Sequence, residues 1–174
     1  QDIIGNWTRY VDDTFAIIET KNVSRVETEL NNFHESIKFT YELEKDKKIS
    51  FLDVLITRTE DEGIVTGVYR KPTNTDIYIN WNAHAPAIWK IATLKSLIKR
   101  ALLISSTKTV LDNELAHIQK VFCQLNDYPP KLVETIVKNE LSNHQIQQAD
   151  GALPRSLDDT EESTDSNTED EQPV

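Results

Sequence analysis

The stretch Arg9-Tyr10-Val11-Asp12-Asp13-Thr14-Phe15-Ala16-Ile17 places two adjacent carboxylates between two short apolar runs. Tyr10 and Val11 favour an extended strand, and the run from Thr14 to Ile18 is rich in β-branched and aromatic residues. A tight turn between the two runs must place Asp12 and Asp13 at its tip. The stretch therefore predicts a β-hairpin with two carboxylates at one end.

This acidic hairpin has two interpretations. Two adjacent carboxylates repel each other unless a cation neutralises them. Mg²⁺ suits such a pair, because it takes one or two carboxylates and leaves its other positions to water and phosphates. Asp-Asp pairs are also common in surface turns, where Asp hydrogen-bonds its own backbone. The residues of the turn alone leave both alternatives open.

The wider sequence resembles a known family. Aromatic-x-Asp-Asp between two strands is the motif C of reverse transcriptases, and residues 9–17 are similar to it. Three further segments follow in the order and spacing typical of Penelope-like retroelement reverse transcriptases: Phe51-Leu52-Asp53-Val54-Leu55-Ile56-Thr57-Arg58, Val68-Tyr69-Arg70-Lys71-Pro72-Thr73-Asn74-Thr75-Asp76 and Asn82-Ala83-His84-Ala85-Pro86. Over residues 5–140 the chain resembles these enzymes and the helix-turn-helix-domain animal proteins of this type.

The resemblance implies a function and a domain organisation. Residues 1–76 would form part of a polymerase palm with a primer-grip-like hairpin, and residues 77–149 a thumb-like or helix-turn-helix unit. Asp12 and Asp13 would bind Mg²⁺ in a two-metal site and take part in catalysis. The partner would be an RNA template paired with a DNA primer. Because catalysis also needs an upstream carboxylate and fingers for the nucleotide, we expect this fragment of an RNA-directed DNA polymerase to be inactive alone.

Charge is unevenly distributed along the 174 residues, whose net charge is −10. Residues 150–174 hold nine acidic residues and one basic residue, a net of −8, so the first 149 carry only −2. This acidic tail is poor in large apolar residues, and we expect it to be disordered. Between Val65 and Leu111 the sequence contains seven basic residues and a single acidic one, Asp76, which indicates a nucleic-acid-binding surface. Its predicted contacts are Arg70, Lys71, Lys90, Lys95, Lys99 and Arg100.

Apolar periodicity predicts an α+β fold. After the hairpin, a Ser24–Glu27 capping box and helical spacing predict a helix of about 13 residues, followed by a strand at Phe39–Leu43. Two longer strands, Ile49–Arg58 and Ile64–Arg70, then form a hairpin. Three apolar stripes predict three helices, with breaks at Ser105–Thr107 and Asp127–Pro130. Their members are Leu94, Leu97, Ile98, Ala101 and Leu102; Leu111, Leu115, Ile118, Phe122 and Leu125; and Leu132, Val133, Ile136, Val137 and Leu141.

An alternative function remains open. The helical unit together with residues 65–111 could form a non-enzymatic nucleic-acid or protein interaction module, such as a domesticated helix-turn-helix remnant. Cys123 is the only cysteine, which excludes an intramolecular disulfide. The chain has no apolar run of membrane-spanning length, so we expect no membrane partner and an intracellular, nuclear location.

Overall fold

The computed structural model describes residues 4–61 and 63–151 and has a mixed α/β architecture. It contains two small antiparallel sheets and four helices, which confirms the predicted α+β class. The elements, in chain order, are β1 Ile4–Tyr10, β2 Asp13–Ile18, α1 Val23–Asn32, β3 Lys48–Phe51, β4 Val54–Arg58, β5 Ile64–Val68, α2 Ala87–Ile104, α3 Lys108–Lys120 and α4 Pro130–Gly151. Helix α4 includes Asp150 and Gly151, the first two residues of the predicted acidic tail, and residues 152–174 lie outside the described residues.

The first sheet is the predicted acidic hairpin. β1 pairs antiparallel with β2, and Tyr10 lies opposite Asp13. Helix α1 follows, but it has 10 residues and its N-cap is Asn22, which makes no side-chain capping hydrogen bond. The predicted Ser24–Glu27 capping box is therefore not formed, and the helix is shorter than expected.

The predicted strand at Phe39–Leu43 is wrong, and the side chain of Asn31 gives the reason. Its amide nitrogen donates to the carbonyl of Phe39 at 3.1 Å, and its amide oxygen accepts from the Phe39 N–H at 2.7 Å. Both backbone hydrogen-bonding groups of Phe39 are thus used locally. The segment after α1 runs without regular structure as far as β3.

The second sheet is a three-stranded meander in the order β3-β4-β5. The predicted long strand Ile49–Arg58 is instead a hairpin, in which Phe51 pairs with Val54 around a turn at Leu52 and Asp53. Leu52 has a φ of 53°, a left-handed value that a continuous strand of L-residues does not accommodate. The turn repeats the aromatic–aliphatic–Asp order of the first hairpin.

The helical unit contains the main core. All three predicted helices and both predicted breaks are confirmed: Thr107 caps α3 by accepting from the N–H of Val110, and Asp127 has a φ of 59° just before the two prolines. A single π-helical turn, Val121–Leu125, extends α3. Cys123 on this turn is half-buried, and burial raises the pKa of its thiol. The buried apolar cluster consists of Leu94, Ile98, Ala101, Leu115, Ile118, Val121, Phe122, Tyr128, Val133, Ile136 and Val137.

The N-terminal part has little core of its own. Of the described residues before position 77, Val26 is the only fully buried apolar one. Large apolar side chains lie on the surface here, including Phe33, which is 85% exposed. The others are Trp7, Tyr10, Val11, Ile17, Ile37, Tyr41, Leu43, Leu52 and Ile64.

Strand β5 joins the second sheet to the helices. The N–H of Thr66 donates to the hydroxyl of Ser106 at 2.9 Å, and the N–H of Ser106 donates to the carbonyl of Thr66 at 3.1 Å. The Thr66 hydroxyl also donates to the carbonyl of Ile104 at 2.6 Å. These bonds satisfy the open edge of β5 at one point and fix the end of α2 against the sheet.

Candidate nucleic-acid interface and acidic hairpin

The acidic hairpin closes through a two-residue turn of Val11 and Asp12. Val11 has a φ of 53°, which is a genuine outlier for a β-branched residue. Asp12 lies in the turn itself, whereas Asp13 is the first residue of β2. The predicted tip position is therefore correct for Asp12, and Asp13 lies one residue beyond it.

Both carboxylates of the hairpin are exposed and unpaired. Within the described part of the chain, neither the Asp12 nor the Asp13 carboxylate forms a hydrogen bond or ion pair. The turn is held instead by Arg9, whose Nε donates to the carbonyl of Val11 at 2.7 Å. The ordinary role of a turn aspartate, a bond to its own backbone, is thus not filled here. The two carboxylates remain available to a ligand.

A complete metal site is not formed around this pair. Across residues 4–61 and 63–151, no group of three or more His, Cys, Asp or Glu residues could hold a metal ion. Asp12 and Asp13 can supply two oxygen ligands, and Mg²⁺ bound by protein commonly uses no more than that. A two-metal centre with a further bridging carboxylate does not fit the residues present.

The predicted cation Arg70 takes part in an internal ion network. Its guanidinium binds both oxygens of the buried Glu114 carboxylate, and Asp76 lies 3.8 Å away. His117 approaches the same Asp76 carboxylate at 3.1 Å. Burial alone would lower the pKa of Arg70, but the hydrogen bonds and charge of Glu114 raise it overall. This charge is already neutralised inside the fold.

Lys90 also points inward. Its side chain is buried at the start of α2, and its Nζ donates to the carbonyls of Trp81 and Ala83 at 2.6 and 2.8 Å. The ammonium lies 5.4 Å from the centre of the Trp81 ring, in cation–π geometry. Lys90 therefore fastens the loop before α2, and it is not free for a phosphate.

Lys95 and Lys99 border a groove of about 480 Å³ between α2 and α4. Lys95 pairs at 3.2 Å with Glu140, a carboxylate that is itself buried. Lys99 lies one turn further along the helix, is exposed, and has no ion-pair partner among the residues described. Only the second of these cations is unpaired.

Lys71 and Arg100 meet at a second site, a cleft of about 330 Å³. We call it the β–α cleft. It is lined by the Leu52–Asp53 turn, the segment after β5, and α2, through Leu52, Asp53, Tyr69, Arg70, Lys71, Thr73, Asn74, Tyr78 and Arg100. Lys71 is exposed, and Nη1 of Arg100 lies 3.4 Å from the Asp53 carboxylate. Burial is the main cause that raises the pKa of Tyr78, and the negative charge of Asp76 raises it further.

Asn126 joins the loop before α2 to the end of the π turn. Its side-chain nitrogen donates to the carbonyls of Asp76 and Val121, both at 3.0 Å, and its side-chain oxygen accepts from the N–H of Tyr78 at 2.8 Å. Its own carbonyl accepts from the N–H of Trp81 at 2.8 Å. Asn126 is not among the predicted residues, although an Asn directly after an apolar helical stripe is a typical helix-ending signal.

The loop from Asp76 to Ala85, three helices and two short connections make one continuous packed unit. Residues 77–138 match the animal helix-turn-helix domain. This helix-turn-helix domain comprises α2, α3 and the first part of α4, together with the loop that Asn126 and Lys90 fasten. No curated protein and no solved structure gives a significant match.

The helix-turn-helix domain contains four of the six predicted cations, Lys90, Lys95, Lys99 and Arg100. The acidic hairpin, Arg70 and Lys71 lie outside it. Among the described helices, none is long and apolar enough to cross a bilayer. The assignment of a nuclear location stays a prediction.

Proposed function

We propose that this chain is part of the RNA-directed DNA polymerase of a retrotransposable element. In this proposal the β1–β2 hairpin contributes two metal-binding carboxylates, and the helix-turn-helix domain holds the template–primer duplex. The carrying observation is the pair of exposed, unpaired carboxylates at a strained turn. Among residues 4–61 and 63–151, no side-chain contact of Asp12 or Asp13 accounts for these carboxylates.

The strain at Val11 supports this interpretation. A left-handed conformation costs an ordinary L-residue about 1–2 kcal/mol, and Gly or Asn would avoid most of that cost. Local strain of this kind is concentrated at functional sites. A β-branched residue at φ 53° directly before Asp12 is consistent with a turn selected for the position of its carboxylate.

Exposed apolar surface supports a larger assembly. Trp7, Tyr10 and Ile17 on the hairpin, and Phe33 after α1, are all largely open to solvent. By the register of the hairpin, Tyr10 and Ile17 lie on one face and Trp7 on the other, so both faces present exposed apolar side chains of the kind that interfaces cover. A palm needs further strands beside this hairpin, and these side chains would pack against them or against an equivalent partner.

The available cations fit the backbone of a duplex. Lys71, Lys99 and Arg100 retain exposure on the flank of α2 and beside it, whereas Arg70 and Lys90 are used internally. Phosphate contacts of this type bind without regard to sequence. On this basis the interface holds a duplex and does not read bases.

A second candidate is a helix-turn-helix module that binds nucleic acid without catalysis. The match over residues 77–138 favours it, as does the lack of a complete metal cluster among the described residues. Against sequence-specific reading, Lys138 on α4 pairs with Glu134 at 2.9 Å, which weakens its field toward phosphate. Both candidates therefore share a nucleic-acid surface and differ at the acidic hairpin.

The deciding experiment measures the two parts separately. An RNA–DNA hybrid is titrated into the chain at several salt concentrations, and Mn²⁺ is added to the amide-labelled chain as a paramagnetic probe. We expect salt-dependent hybrid binding, and Mn²⁺ broadening of signals around Asp12 and Asp13 that is lost in Asp12→Asn. The control Asp112→Asn removes an exposed carboxylate of α3 and should leave the broadening unchanged.

The outcomes separate the candidates. Hybrid binding with no Mn²⁺ response at the hairpin would favour the non-catalytic module. No binding of any duplex would overturn both. Primer extension on an RNA template, with the chain extended upstream where its transcript continues, would then test polymerase activity and its loss in Asp12→Asn.

A further inference from the structure

The β–α cleft combines two cations with neutral hydrogen-bond donors. Lys71 and Arg100 supply the charges, and Tyr69 and Thr73 supply a phenol and a hydroxyl. The side-chain amide of Asn74 also lines the cleft; it donates one hydrogen bond to Asp76 at 2.8 Å and has a second N–H. Arg70 lines the same cleft, but Glu114 and Asp76 already neutralise its charge. The cleft therefore has two cations to offer, opposed by the single carboxylate of Asp53.

Arg100 is incompletely satisfied in this position. Its Nε is buried and has no hydrogen-bond partner among the described residues. Its only ion-pair contact is that of Nη1 with Asp53 at 3.4 Å, well beyond the usual 2.7–2.9 Å of a charge-assisted bond. A buried, unpaired guanidinium N–H has a substantial free-energy cost, so Arg100 has bonding capacity left for a further anion.

The Asp53 carboxylate occupies the position beside Arg100 that a further anion would take, and it is held there only weakly. Its side chain is 65% exposed at the tip of the β3–β4 turn, whereas that of Arg100 is 28% exposed. The turn is anchored by the backbone, because the carbonyl of Asp53 accepts from the N–H of Tyr69 at 2.7 Å. The carboxylate can therefore move away from Arg100 without disturbing the sheet.

We propose that the β–α cleft binds one phosphate group of the nucleic-acid backbone, and that the Asp53 carboxylate competes with that phosphate for Arg100. Arg100 and Lys71 are the charged ligands, and the neutral donors of the cleft add hydrogen bonds to the same non-bridging phosphate oxygens. This inference rests on the proposed function. It adds one defined contact with the nucleic-acid backbone, which lies outside the groove between α2 and α4 that Lys95 and Lys99 border.

A phosphate fits this chemistry better than a carboxylate ligand does. The planar fork of Arg matches the two non-bridging oxygens of one backbone phosphate, and Lys acts as a point charge toward the same oxygens. Two cations also match the single or double negative charge of a phosphate group. A metal ion is disfavoured because the lining contains Asp53 as its only acidic residue.

The test compares variants of the full chain for binding of an RNA–DNA hybrid and of inorganic phosphate. Asp53→Asn removes the competing charge and keeps the shape of the turn residue. We expect it to bind the hybrid about fivefold more tightly, as expected for one exposed charge pair at close range. Asp112→Asn is the matched control, because it makes the same charge change beside a lysine on α3 and should have little effect.

Loss-of-charge variants test the ligands directly. Arg100→Gln and Lys71→Gln should each weaken hybrid binding about fivefold and reduce the salt slope by about one. Lys21→Gln, which removes an exposed cation paired with Glu19, is their control. Arg100→Lys keeps the charge without the fork and should recover only part of the loss. Amide spectra verify that each variant is folded.

The possible results distinguish the site from the wider function. If the hybrid binds, but Asp53→Asn matches Asp112→Asn and Arg100→Gln matches Lys21→Gln, the phosphate site is overturned and the proposed function stands. If the hybrid does not bind, while inorganic phosphate shifts the amide signals of residues 69–71 and 73–74 more strongly in Asp53→Asn, the site is supported for free phosphate and the proposed function fails. Failure of both probes overturns both.

Discussion

Asn126 is the residue on which the connection between loop and helices depends most. One side chain satisfies two carbonyls and one N–H, in the segments around Asp76, Tyr78 and Val121, and it is 1% exposed. No water can replace these bonds without opening the core. The residue therefore determines the path of the chain that leads into α2.

Replacing Asn126 by Ala should destabilise the protein by about 3 kcal/mol, because each buried polar group left unpaired costs about 1–3 kcal/mol. Urea denaturation followed by circular dichroism measures the change. The control Asn113→Ala removes an exposed amide from α3, and Ala is the better helix former, so that variant should be neutral or slightly stabilised. A cost of Asn126→Ala no larger than that of the control would contradict the assigned role.

At the level of residues, sequence reasoning identifies charge but not where the charge points. Lys90 and Arg70 belong to a basic stretch, yet one binds backbone carbonyls and the other a buried carboxylate. Glu114 offered a signal, since it lies three positions after Leu111 on the same helical face. A carboxylate within an apolar stripe predicts a buried partner of opposite charge.

Close approach between elements decides how the second sheet meets the helices. A Cβ added to Gly67 in β5 would lie 2.9 Å from a methyl group of Val110 in α3. Such a distance is shorter than ordinary van der Waals contact, so the strand and the helix can approach this closely only with glycine at position 67. The same strand carries the hydrogen bonds of Thr66 to Ser106.

Gly67→Ala should therefore destabilise the fold by about 1–3 kcal/mol, the usual cost of overpacking. Val110→Ala in the same chain should recover most of that loss, and a double-mutant cycle by urea denaturation measures the coupling. Gly5→Ala is the matched control, because its added Cβ would meet the carbonyl of Ile17 at an ordinary 3.5 Å. Additive effects of Gly67→Ala and Val110→Ala would exclude the steric explanation.

Prediction of the elements succeeded where periodicity extends over many residues. The three stripes of the helical unit each cover more than two helical turns, so their helices and breaks could be predicted. The β-hairpins depend on single turn residues instead. Leu52 at φ 53° divides a run that is largely apolar, and the Asn31 side chain occupies the backbone groups of Phe39 from eight residues away. Neither the left-handed backbone at Leu52 nor the hydrogen bonds of Asn31 leave a periodic signal in the sequence.

Burial of apolar side chains differs between the two parts of the molecule to which the proposal assigns metal binding and duplex binding. The buried cluster lies in the helices, while the acidic hairpin and its surroundings expose apolar side chains. The amphipathic patterns of the two regions do not indicate this difference in burial. A short segment shows the same alternation whether or not the strands that would cover it are present, so its final burial could not be predicted.

The uneven charge leads to a prediction for the 174 residues as a whole. Residues 152–174 contain eight acidic residues and Arg155, a net of −7, so their removal changes the net charge from −10 to −3. We expect the shortened chain to bind an RNA–DNA hybrid more tightly at low salt, because a negative segment opposes approach of phosphates. The advantage should shrink as salt rises, because screening acts within about 10 Å at 0.1 M ionic strength. Fluorescence anisotropy across a salt series measures both effects. A 174-residue variant with Asn and Gln in place of those acidic residues separates the effect of charge from that of length. If this variant binds the hybrid like the unmodified chain while the shortened chain binds more tightly, the bulk of the segment causes the difference. The electrostatic explanation would then be wrong.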